Sequence, residues 1–440
     1  MPETLFAGSR EKVISVEEFL PVVTEAAAGL LALRDEVSRG ENREWNRRFI
    51  SRMLRDVQHL RTVLMDYEAQ ENREFSYFTE IAAGIRGFAT LIYVLKHLKE
   101  RYLRSPIRER NPTEDVFLVE TQRTLVFCGR TLRSLFEALV EECGILGVGV
   151  PEAEPTEQAN GSAPPAIRCH LPHNIGEEAI GGEGEMIAQV AAHFLRVADD
   201  YAALRPKHLA TLGELRDFVL GKLDEEEARR IESSMHAIQS KYDTYIQQTR
   251  TEQADADLKR LRSIISLTLH LFEITTHAIH FYERHENDIR SASAMEKLAK
   301  IVDKTGVLDR AVNYAFRTAG TFIAAGREIA TRLIPAYTSI RDITIPIPPD
   351  VRLHIRPAAL IAAVVAHHGT PVRMRMGGHE VDAESVTEVI YLAGSNQDAR
   401  EVSFLGDHRP LDDLRLLFEV GLQDDGHEKI LARLPYLRRT

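Results

Sequence analysis

DVRLHIRPAALIAAVVAHHG, residues 350–369, sets a polar turn against the start of a helix. His354 is followed by Ile355, Arg356 and Pro357, and the apolar run beyond them keeps helical spacing as far as Gly369. Proline is tolerated in a first helical turn, where its missing N–H breaks no bond, so the stretch predicts a helix that opens beside His354. His354 and Arg356 then stand at the positive end of the helix dipole, among backbone N–H groups that the helix itself does not use. A phosphoryl group on an imidazole nitrogen would find both donors and compensating charge there. Imidazole suits reversible phosphoryl transfer because it is nucleophilic near neutral pH and leaves readily once protonated. Arg356 is placed to hold phosphate oxygens through charge-assisted bonds. On these residues alone, the pattern also describes an ordinary helix cap or a surface histidine.

Outward from this stretch the chain alternates like strands. ITIPIP (343–348) reads as an opening strand that Pro346 and Pro348 confine to an edge or end early. MRM, EVDAES and REVSFLG alternate in the same way, and VDAES leads into VTEVIYL, so that Ser385 caps a short helix. LDDLRLLFEVGL reads as an amphipathic helix. Together these segments predict a separate α+β module after Ile334-Pro335. RLHIRPAALIA follows the pattern G-L-H-A-R-P-A, and Ser385 lies 31 residues after His354. On these residues, the segment from roughly Arg341 to Gln423 resembles HPr, the phosphocarrier family of the bacterial sugar phosphotransferase system.

The resemblance implies an open-faced sandwich of four strands with three helices on one side, and a phosphohistidine made by enzyme I from phosphoenolpyruvate. It gives His354 the role of phosphoryl acceptor and Arg356 that of phosphate binding. Ser385 takes the place of the serine modified by HPr kinase. The implied partners are an enzyme I-like donor, a phosphoryl acceptor protein and an HPr kinase. Three departures stand out: Arg352 where the family has Gly, Ile355 where it has a small Ala, and Thr387, Glu388 and Ile390 where it carries Met, Gly and Met around its docking patch.

The remainder of the chain is written in helices. Three-and-four spacing of apolar residues runs from Val16 to about Gly147 and again from about Glu185 to Leu333. A Pro/Gly-rich connection separates the two runs. An offset of 183 positions lays YVLKHLKERY over THAIHFYERH, matching His97 with His280, Glu100 with Glu283 and Arg101 with Arg284. FCGRTLRSLFEALVEE and AFRTAGTFIAAGREI match after a small further shift. The two halves are therefore either a duplicated helical bundle or amphipathic helices alike by composition.

Composition narrows the classes. The 440 residues allow two to four domains, and 44% apolar with 28% charged residues describes a folded chain. Net charge −11 and a pI near 5.9 argue against nucleic-acid backbones and anionic lipid as partners. Cys128, Cys143 and Cys169 form no CxxC pair and read as buried thiols in a reducing compartment. MPETLFAGSREK has no basic start before an apolar core, and the apolar stretch from Ile81 is broken by Arg86, short of a membrane span. A cytoplasmic location is expected.

Other groups rank lower. His270, His277, His280 and His285 share one helix with Glu273 and Glu283, but a carboxylate-rich metal site needs ligands from several helices. His367 and His368 read as dipole partners at a helix end, and His170 and His173 as linker residues. LRSPIRER from Leu103 reads as a solvated loop, and DEEEARR from Asp224 as the first turns of a helix. No phosphate-binding loop motif occurs.

The expectation is a multidomain chain: a helical domain (1–147), a Pro/Gly-rich linker (148–184), a second helical domain (185–337) and an HPr-like domain (338–440). It acts as a phosphocarrier or phosphorylation-responsive regulator, not as a stand-alone enzyme, and needs no cofactor. The rival is an interaction or scaffold protein that keeps an HPr-like module without phosphotransfer.

Overall fold

Helix α1 (Val16–Leu31) starts where Ser15 and Glu18 cap one another: Glu18 N donates to Ser15 Oγ at 3.2 Å, and Ser15 N donates to the Glu18 carboxylate at 2.9 Å. After it come α2 (Arg34–Arg39), α3 (Arg47–Asp66), α4 (Ser76–Leu103), α5 (Glu114–Leu146) and α6 (Glu183–Ala203). Next are α7 (Leu212–Lys222), α8 (Glu225–Tyr245), α9 (Arg250–Ala254), α10 (Ala256–Arg284), α11 (Ala292–Ile301) and α12 (Lys304–Asp309). A π-helical segment, Arg310–Phe316, leads into α13 (Arg317–Tyr337). Asp224 caps α8 and Glu225, Glu226 and Glu227 fill its first turn, as DEEEARR implied. The computed structural model describes residues 13–39, 45–108, 114–151, 182–205, 207–284, 292–348, 352–420 and 427–439. Most of the expected linker, with Cys169, His170 and His173, lies outside them, as does His285.

Helices α4 and α10 are apolar around most of their circumference, which suits a helix only to an interior. They run antiparallel through the centre of the bundle. Phe88 meets Phe281 edge to face at 5.2 Å between ring centroids, and His97 meets His270 at 4.6 Å. Helices α3 and α5 pack on α4, while α8 and α13 pack on α10 and α6 closes against both. Buried apolar residues from Phe19 to Leu333 form one continuous cluster. The two helical runs, which the sequence divides into separate domains, therefore share one core. By length and composition α4 is long and apolar enough to cross a membrane, which corrects the reading of its apolar stretch as too short; 72% of that window is buried inside the bundle.

Helix order recurs along the bundle. Helices α1, α3, α4 and α5 run 16, 20, 28 and 33 residues, and α6, α8 and α10 run 21, 21 and 29 before the α12–α13 segment. The matched segments YVLKHLKERY and, as far as Arg284, THAIHFYERH fall on the last turns of α4 and α10.

Beyond Tyr337 the chain turns to β1 (Ile340–Pro346), α14 (Ile355–His368), β2 (Val372–Met376), β3 (His379–Asp382), α15 (Val386–Ser395), β4 (Glu401–Asp407), α16 (His408–Val420) and α17 (His427–Arg433), with a closing 3-10 turn at Pro435–Arg439. The described residues are mostly helical, at 76%, with one small antiparallel sheet ordered β1-β4-β2-β3. Strand β1 begins three residues earlier than ITIPIP suggests, because pairing with β4 continues to Ile340 opposite Asp407.

One face of this sheet is buried. Ile345, Val372, Met374, Met376, Val402 and Phe404 pack with Ile361 and Val365 of α14, Val389 and Leu392 of α15, and Leu411, Leu414 and Leu417 of α16. The other face carries Arg375, bonded to Asp342 at 3.0 Å and Glu380 at 2.6 Å, and Thr344 with Ser403 at 2.8 Å. Alternation along each strand separates the two faces.

Candidate functional site

His354 is the N-cap residue of α14 and has an extended backbone (φ −104°, ψ −166°). Its carbonyl accepts the first intrahelical bond, from Ala358 N at 3.0 Å, and its own N–H donates to the Arg352 carbonyl at 2.9 Å. The side chain makes no capping bond and is exposed. An N-cap Ser or Asp would turn its oxygen onto the first-turn N–H groups; this imidazole leaves that role to the backbone. Pro357 is the third helical residue, and its missing N–H falls within the set that no helix bonds internally. Beneath this start, Ala358, Ile361, Val364 and Val365 anchor α14 to the core at 0% exposure, which fixes the direction of the dipole at His354. The helix ends at Gly369, whose φ of +64° closes it with an N–H to the Val365 carbonyl at 2.8 Å.

Ile355, the residue after His354, is 70% exposed, and Tyr391 on α15 is 75% exposed. Ser385 is the N-cap of α15, with its Oγ accepting from Glu388 N at 3.3 Å, as the sequence implied. The Glu388 carboxylate does not return the bond to Ser385; it accepts from Asp382 N at 3.0 Å.

Glu384, next to Ser385, is bound by Arg196 of α6 at 2.7 and 2.6 Å. This contact belongs to a stripe along one face of α6. His368, at the end of α14, lies between Glu185 at 3.4 Å and Asp413 at 2.8 Å. Arg409 reaches Glu185 at 3.5 Å and donates to the Tyr337 carbonyl at 3.1 Å. Gly369 faces Gln189 and His193 so closely that a Cβ there would sit 3.3 Å from each. Burial, then Arg196 and Lys241, push the His193 imidazole down to about 4. Burial would raise the Asp413 carboxyl, but hydrogen bonds from His368 and Tyr436 outweigh it and hold the group below its ordinary range. His367 stacks on Tyr436 at 3.6 Å. His367 and His368 thus do more than face a dipole: they tie α14 to Tyr436, Asp413 and α6.

The bundle histidines are engaged one by one. His270 bonds Glu273 at 2.8 Å, and His280 bonds Glu225 at 2.7 Å. Burial lowers His277. Among the described residues no three His, Cys, Asp or Glu side chains are grouped to hold a metal ion. Cys128 and Cys143 are buried free thiols, and burial pushes each up to about 12.

Sequence reasoning missed Glu185, Gln189, His193 and Arg196. Their signal was present as polar residues recurring at three- and four-residue spacing on a helix whose other side is apolar. No protein-family model, curated protein or solved structure matches this chain.

Proposed function

We propose that the chain from about residue 338 onward is an HPr-like phosphocarrier module, an open-faced sandwich in which His354 accepts a phosphoryl group from a phosphoenolpyruvate-dependent enzyme I. The order β-α-β-β-α-β-α, with helices on one face of the sheet, supports this reading. The observation that carries it is the exposed imidazole of His354 at the positive end of α14, unspent on capping. Transfer moves the phosphoryl group from the donor's phosphohistidine to a ring nitrogen of His354; the acceptor protein later takes it, and the imidazole returns unchanged. Arg356 serves the phosphate oxygens. Ser385 is a candidate for regulatory phosphorylation, one residue from the Arg196–Glu384 contact that joins the module to the bundle. The bundle, in this reading a duplicated helical unit in a cytoplasmic protein, responds to the state of the module or binds the acceptor.

The test is labelling with phosphoenolpyruvate and the host's enzyme I. Wild type should take an acid-labile, alkali-stable label that His354→Ala lacks. The exposed apolar side chains of Ile355 and Tyr391 favour a second reading, a binding module that docks a partner without phosphotransfer. Failure of correctly folded wild type to take label would leave that reading standing and remove the first.

A further inference from the structure

A cavity of about 450 Å³ opens between the start of α3, the end of α4 and the second and third turns of α10. Arg47, Arg101, Arg104 and Arg262 line it, with Glu100 as the one carboxylate among the described lining residues. Four guanidinium groups in one cavity are notable in a chain of net charge −11. Among the described residues their partners are few. Arg262 Nε donates to Asp243 at 3.0 Å, Arg47 donates to the Tyr93 hydroxyl at 2.9 Å, and Arg101 Nε points to His97 Nε2 at 3.4 Å. Of these three contacts only the one to Asp243 brings a negative charge.

Helix dipoles explain part of this set. Arg101 and Arg104 lie at the end of α4, where positive charge is welcome. Arg47 opens α3, where the dipole has the opposite sign, and Arg262 lies inside α10 away from either end. Burial lowers Arg101, and Arg262, Arg104 and Arg47 push it the same way against Asp243. The cluster therefore repels itself as it stands. A second observation is independent of charge: Ser266 lines the cavity at 3% exposure, and its Oγ has no hydrogen-bond partner. Buried hydroxyls are seldom left in that condition.

We propose that this cavity binds a small phosphorylated sugar, with the arginines on its phosphate and Ser105, Ser263, Ser266 and Glu100 on its hydroxyls. The volume falls within the ~300–1,000 Å³ of ordinary ligand sites and exceeds what a bare phosphate needs. Among the described lining residues Leu267 is the one aliphatic and the His97 imidazole the one ring, so these walls suit a polyol and offer little stacking surface for a nucleobase. The site lies in the bundle and does not depend on phosphotransfer at His354.

The experiment is calorimetric titration of the full chain with glucose 6-phosphate, glucose and inorganic phosphate at constant ionic strength. Arg104→Ala is the test variant, because Arg104 is exposed and its loss spares the core. Arg415→Ala, an exposed arginine on α16, is the control. Glucose 6-phosphate should bind saturably, glucose should not, and Arg104→Ala should weaken binding about tenfold or more while the control binds as wild type. Phosphate binding as tightly as glucose 6-phosphate would overturn the sugar assignment. Binding of neither ligand, or equal binding by wild type and Arg104→Ala, would overturn the site.

Discussion

Arg356 follows His354 by two residues in the first turn of α14, and its expected duty is to hold phosphate oxygens. Charge-assisted hydrogen bonds are worth ~1.5–3 kcal/mol, so Arg356→Ala should slow transfer to His354 by about ten- to a hundredfold. Arg356→Lys keeps the charge but loses the planar fork and should fall between. Rapid-quench rates from phosphorylated enzyme I measure both; three equal rates would separate Arg356 from the phosphate. The helix starts at His354 and Ser385 are legible because such a start is written within a few residues: a cap, a proline or an apolar period. Arg196 and Glu384 were not, since the residues that meet are 188 positions apart and each reads alone as a solvated charge. The same limit hid the arginine cavity. LRSPIRER looks like a solvated loop until Arg104 and Ser105 are seen beside Arg47 and Arg262.

Elements were legible where period and caps agree. Ser15, Thr211, Asp224 and Ser385 each accept the N–H three residues on, and each opens a helix. Strand β1 is longer than its sequence implies because Arg341 and Asp342 carry no apolar signal; they sit on an edge strand whose length is set by pairing with β4. Close packing between helices cannot be read from one segment. Gly326 in α13 shows the conflict. Alanine ordinarily favours a helix interior by about 1 kcal/mol over glycine. Here a Cβ would lie 2.6 Å from Phe194 Cε1 and 2.9 Å from Ile264 Cγ2, both in the bundle core. Overpacking should outweigh propensity, making Gly326→Ala less stable by about 1–2 kcal/mol. Urea unfolding of wild type and variant checks the sign, and a stabilised variant would show that α6 and α13 can move apart at no cost.

Across the whole molecule, acid should act through half-buried imidazoles. His97 and His193 are each held at about 4 against an ordinary 6.5; burial comes first in both, then His270 and Arg101 for His97, and Arg196 and Lys241 for His193. Between those values the unfolded chain takes up protons that the folded chain refuses. Their contribution to stability is complete above pH 6.5 and is lost as pH falls toward 4. Asp413, whose carboxyl is held low, adds to the loss on the acid side. Scanning calorimetry from about pH 7.5 to about pH 5, across the ordinary imidazole value, should show a falling Tm, with a shallower fall in His193→Gln. A Tm independent of pH would mean that these rings protonate freely in the folded chain. The sheet order given above has one more consequence. Its two outer strands are β1, which ends at Pro346, and β3, which has four residues and carries Glu380 and Asp382. Short, charged and proline-ended edges discourage an added strand. These edges thus disfavour main-chain pairing with any added strand, and neighbouring copies gain little from joining edge to edge.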